Sequence, residues 1–141
     1  MENFLLKENT HLVVIKKGES VIKTIETFCK DNNIYNAKLS GLGAVEKITC
    51  GYYDIERRVY EFKNYEGLFE VVSMVGNVMI KEDDIFAHLH STFTDEENNC
   101  FGGHVSEMIV GVTLEVILEV FPTKIRREFD DETGLFLIKT H

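Results

Sequence analysis

Apolar residues recur at the helical period in only one stretch of the chain. Val21, Ile22, Ile25, Phe28 and Cys29 stand at i, i+1, i+4, i+7 and i+8, a single stripe on a helix of 3.6 residues per turn. Ser20, just before the stripe, is placed to cap the helix, although Lys23 stands where a capping box would carry Glu or Gln. The polar run Asp31, Asn32, Asn33 ends it. An amphipathic helix of this kind needs a sheet to cover its stripe.

The rest of the pattern is that of strands. Short segments rich in Val, Ile, Tyr, Phe and Thr, bounded by Gly, Asn and Asp, predict strands over 35–40, 46–53, 58–63, 69–75, 77–80, 85–93, 100–105, 109–121 and 134–139. No strand is read before the helix. The link Ser40-Gly41-Leu42-Gly43 lacks the spacing of a dinucleotide-binding loop and reads as a turn or a close-packing site. Pro122 follows the longest strand, where it can end pairing. One helix among so many strands excludes a doubly wound parallel sheet. The expected fold is α+β, mainly antiparallel, with the N-terminal helix packed on the sheet.

The segment 85–93 carries the most specific chemistry. One set of alternate positions reads Ile85, Ala87, Leu89, Ser91, Phe93 and faces the core, while the other presents Phe86, His88, His90 and Thr92. The Cα atoms of His88 and His90 then lie ~7 Å apart, a workable span for two ligands of one ion. The polar run from Thr94 to Asn99 predicts a reversal, and if it centres near Glu97, His104 returns opposite His90. Gly102 and Gly103 clear the approach. Three imidazoles suit Zn²⁺ or another borderline divalent ion and leave a fourth position for water or a small-molecule ligand. The competing reading of His-x-His is a half-exposed strand face without a metal. Glu115 and Glu119 share one face of the strand over 109–121, so Glu115 is a candidate catalytic or orienting carboxylate, or else simply solvated. Cys100 shares the His104 face only if no bulge intervenes. His11 and His141, near the termini, are expected at the surface.

Composition narrows the setting. At 141 residues and 44% hydrophobic content, the chain is expected to form one domain over 1–141. Cys29, Cys50 and Cys100 are odd in number and widely spaced, which points to reduced thiols. The first dozen residues carry Glu2, Lys7 and Glu8 and do not read as a signal peptide. The most apolar stretch is interrupted by Glu115 and Glu119, so no membrane span is expected and the location is read as cytoplasmic. A net charge of -9, from 24 acids against 15 bases, disfavours direct DNA binding. Lys124, Arg126 and Arg127 form the best basic group and read as a solvated strand end.

Several spaced motifs together resemble a known family. The run Phe69-Glu70-Val71-Val72-Ser73-Met74-Val75-Gly76-Asn77, then His88-Leu89-His90, Gly102-Gly103-His104 and Thr113-Leu114-Glu115-Val116, look like the PPC domain conserved in plants and prokaryotes. Lys17-Gly18-Glu19, Ser40-Gly41-Leu42-Gly43-Ala44 and the stretch from Arg127 to Leu135 fit in the same order, so the likeness covers nearly the whole chain. Around Val14 and Ile15 apolar residues replace an arginine that often precedes the family's Gly-Glu segment. The resemblance implies a homotrimer and places His88, His90 and His104 in a cluster able to hold zinc. Plant members add an AT-hook, and bacterial members are commonly labelled DNA-binding. This chain has no Arg-Gly-Arg-Pro hook and no basic arm. The resemblance thus implies a metal-binding, non-catalytic binding or regulatory module. A distant likeness to acetolactate decarboxylase implies the alternative, a zinc-dependent enzyme on a small oxo acid.

Overall fold

The computed structural model describes residues 1–139; His141 lies outside them. The elements in chain order are β1 (Glu2–Lys7), β2 (Thr10–Lys16), α1 (Val21–Asp31), β3 (Ala37–Asp54), β4 (Val59–Lys81), β5 (Asp84–Thr94), β6 (Cys100–Val120), β7 (Arg126–Asp130) and β8 (Leu135–Ile138). All belong to one sheet apart from α1, and every pairing is antiparallel except that of β4 with β7. The fold is therefore the expected α+β type.

The strands are longer and fewer than the sequence pattern suggests. β3 runs straight through the glycine link, β4 joins three expected segments, and β6 joins two. Bulges between Gly41 and Gly43 and between Val45 and Lys47 let β3 bend without ending, so the alternation breaks while pairing continues. Gly43 is a close-packing site and not a turn: a Cβ there would run into the Thr113 carbonyl on β6. The N-terminal segment, assigned to no strand from the sequence, forms β1 and β2. β2 pairs along β6 from Thr10 opposite Glu119 to Lys16 opposite Thr113.

Pairings of β3 with β4, β4 with β5, β5 with β6 and β6 with β3 close a circuit of four strands. Closure removes the unpaired edges that an open sheet would present. α1 covers the core with Val21, Ile25, Phe28 and Cys29, all buried against strand residues such as Leu89, Phe93, Met108 and Leu114. Burial of each large side chain contributes ~1.5–3 kcal/mol. Ser20 does occupy the N-cap position, but its hydroxyl bonds Glu107 Oε1 at 2.9 Å instead of capping the helix. On the opposite, outer face Leu42, Leu68, Val72, Val75 and Val112 remain more than half exposed. His11 corrects the surface expectation: it is partly buried, edge-on to Phe28 at 5.3 Å, with Nδ1 enclosed.

Candidate metal centre

Two turns set the register that gathers the histidines. Glu82 and Asp83 both take positive φ in the tight link between β4 and β5, which places His88 opposite Asn77 and His90 opposite Val75. Between β5 and β6, Asp95 Oδ1 accepts the backbone N–H of both Glu97 and Asn99 at 2.9 Å and holds the reversal. β6 then returns without a bulge from Cys100 opposite Thr94 to His104 opposite His90. Gly102 is required on this path, because a Cβ would strike the Ser91 carbonyl.

The three rings converge. Their centroids lie 5.1 Å apart for His88 and His90, 5.0 Å for His88 and His104, and 5.4 Å for His90 and His104. One nitrogen from each lies within 4.8 Å of the other two. An ion bonded at ~2.0–2.1 Å to each needs nitrogens ~3.4 Å apart, which small ring rotations supply. His104 Nδ1 is buried without a partner, as a poised ligand atom would be. The residues therefore fit a divalent ion.

Electrostatics support that fit. Burial lowers the pKa of His88 to about 4, with Arg127 and the other two histidines adding to the shift. His104 also falls to about 4, through burial first, then His90 and Arg127. Both rings are neutral at pH 7, the form that donates to metals. Tyr60 stacks on His104 at 4.6 Å and Phe62 on Tyr60 at 5.1 Å, fixing the His104 ring from the β4 side. Burial raises the Tyr60 pKa, with Tyr53 adding and Arg127 opposing.

Arg127 was the residue most misjudged by sequence. Far from being a solvated strand end, it is 9% exposed and bonds the site from β7. Nη2 meets Asn77 Oδ1 and His88 Nδ1, each at 3.0 Å, and Nη1 donates to the Phe136 carbonyl at 3.2 Å. The parallel pairing of Lys81 with Arg127 brings it there, a contact no local pattern could signal. Of its basic neighbours, Arg126 pairs with Asp83 and Lys124 lies over Tyr35. Beside His88 and His104 opens a cleft of about 450 Å³, walled by Tyr60, Phe86 and Phe136 and bordered by Arg58, Lys81 and Arg127.

The other candidates stay outside the cluster. Glu115 is exposed further along β6, opposite Val14 and Leu42. Glu119 sits still further on, opposite Thr10 and Lys38. Cys100 meets the no-bulge condition, yet it is exposed, and among the described residues only the three histidines gather.

Comparison with known proteins agrees with this architecture. No curated protein matches the chain. A plant- and prokaryote-conserved (PPC) protein of Pyrococcus horikoshii is 31% identical, with 99% of this chain and 96% of that one covered, at a TM-score of 0.87. A metal-containing protein of Archaeoglobus fulgidus is 30% identical over 99% of this chain and all (100%) of that one, also at 0.87. A protein of Ralstonia eutropha JMP134 described as a putative DNA-binding protein is 28% identical over 97% and 95%, at 0.89. Likeness of fold alone extends to alpha-acetolactate decarboxylase of Bacillus subtilis, 15% identical over 86% of this chain and 57% of that one, at 0.55. The model of the Plants and Prokaryotes Conserved domain matches residues 5–122, most of the chain and all three histidines, and the chain belongs to that family.

Proposed function

We propose that this chain is a homotrimeric, zinc-binding PPC-type domain that serves as a cytoplasmic binding or regulatory module. The observation that carries the reading is the approach of one nitrogen each from His88, His90 and His104 to within 4.8 Å of one another. Zinc bound there would retain a position for water or a ligand, where it acts as a Lewis acid. The metal-containing relative from Archaeoglobus fulgidus supports the metal, and the exposed apolar face carrying Leu42, Val72 and Val75 supports assembly. Free cysteines suit a reducing compartment. The charge of -9 weighs against direct contact with DNA phosphates.

Elemental analysis of untagged protein alongside native mass tests this. One zinc per chain in a trimer, lost in a His88→Ala/His90→Ala double variant, is the expected result. Metal-free protein that refuses added zinc overturns the metal reading, and a monomer overturns assembly.

A second reading, a zinc-dependent enzyme on a small oxo acid, is favoured by the cleft beside His88 and His104. Turnover of such acids that vanishes in His88→Ala would establish it, and inactivity across a panel of them would remove it.

A further inference from the structure

The cleft beside the histidines differs in charge from the molecule around it. The chain carries an excess of acids, yet no Asp or Glu lines this cleft, whereas Arg58, Lys81 and Arg127 do. Sequence neighbours make the contrast plain. Arg57 is paired with Asp54 and Glu61, and Arg126 with Asp83, while Arg58 and Arg127, each the next residue, have no carboxylate partner among the described residues. Asp130, whose carboxyl feels the charge of Arg58, gives its carboxylate to Thr133, accepting from the backbone N–H at 2.8 Å and the hydroxyl at 2.6 Å.

Arg127 is the sharpest case. Its guanidinium is buried and bonds only neutral groups, and its Nε has no partner at all. A buried cation without a counter-charge is costly, by several kcal/mol even after relaxation. A divalent ion on the adjacent neutral histidines adds positive charge and deepens the imbalance. Lys81 holds its ammonium over Phe86 at 4.9 Å and Phe136 at 4.5 Å, while Asp84, opposite it between β4 and β5, pairs with Lys30. These rings, with Tyr60, give the cleft flat apolar walls. Its volume, about 450 Å³, is that of a small-molecule site.

We propose that this cleft binds a small anion, a carboxylate or phosphate carried on a flat apolar body, with Lys81, Arg58 and Arg127 supplying the counter-charge and the aromatic walls holding the body. The ligand class extends the metal-site reading to the neighbouring cleft but stands on the cleft's own cations.

The test is calorimetric titration of zinc-treated and chelator-treated protein with phenyl phosphate, benzoate and, as the neutral counterpart, benzyl alcohol. At least one anion should bind, benzyl alcohol should not, and Lys81→Met and Arg58→Gln should each weaken the anion about tenfold, the effect of losing one charge-assisted contact. Arg126→Gln, beside the cleft's arginine but directed to Asp83, should bind like wild type. Preference between the two anions identifies the head group. Absence of binding by both at millimolar concentration, or equal binding by Lys81→Met, Arg58→Gln and wild type, overturns the proposal. Zinc content measured on the same samples reports separately: anion binding by protein that takes up no zinc sustains the cleft and defeats the metal reading, and zinc uptake without anion binding does the reverse.

Discussion

Arg127 and His88 meet at 3.0 Å between Nη2 and Nδ1. A guanidinium has only N–H donors, so Nδ1 accepts and the neutral ring carries its proton on Nε2. A metal ion taking Nδ1 must displace the guanidinium, and both are cations. Replacing Arg127 by Gln should therefore tighten zinc about tenfold in a chelator competition, as expected for removing a like charge at contact distance. Weaker zinc binding in the variant would show instead that Arg127 supports the site.

The half-buried rings of His88 and His104 make stability depend on acid. His88 and His104 titrate at about 4 when folded, below their ordinary 6.5, chiefly through burial. Between those values the unfolded chain takes up protons that the folded chain does not. The share of stability that these two rings govern is then fully present above pH 6.5, falls as the pH drops towards 4, and levels off below. Urea midpoints of metal-free protein across this range should trace that decline, and His104→Asn should make it shallower. A flat profile would mean that the rings are not held neutral.

Gly102 tests whether strand register creates the centre. In Gly102→Ala the new methyl meets the Ser91 carbonyl, which forces β5 and β6 apart beside the pairing of His90 with His104. Thermal unfolding should show a loss of ~1–3 kcal/mol, the usual cost of overpacking, together with weaker zinc uptake. Normal uptake in a destabilised variant would uncouple the two.

Glu115→Gln provides the converse. Its place opposite Val14 and Leu42 predicts unchanged zinc stoichiometry and affinity, measured by the same chelator competition. A loss of zinc would require another copy's Glu115 to reach the site.

The histidine cluster was readable because it depends on two local rules. Alternation put His88 and His90 on one face, and a polar turn of the right length returned His104 opposite His90. The helix was readable for the same kind of reason, its stripe at 3.6 residues. What local patterns missed came from long-range pairing. β1 and β2 carry too little alternation to be seen without β6, which pairs along the whole of β2. Bulges at Gly41 to Gly43 and Val45 to Lys47 scrambled the period of β3, so one strand read as two. Arg127 joins His88 from far along the chain through a parallel pairing of only two residue pairs, Ile80 with Arg126 and Lys81 with Arg127.

The closed circuit of β3, β4, β5 and β6 has a kinetic consequence for the centre. All three imidazoles hang from strands inside that ring, and His90 stands between paired strands on both sides, opposite Val75 and opposite His104. No hinge or loose terminus can swing a ligand away, so ions should enter and leave by rotation of side chains over an unmoving backbone. The amide protons of these strands then belong to the slowest class to exchange with solvent, released only by global opening. The histidine frame is consequently as durable as the fold itself, and the ordering cost of assembling it is met during folding and not when an ion arrives.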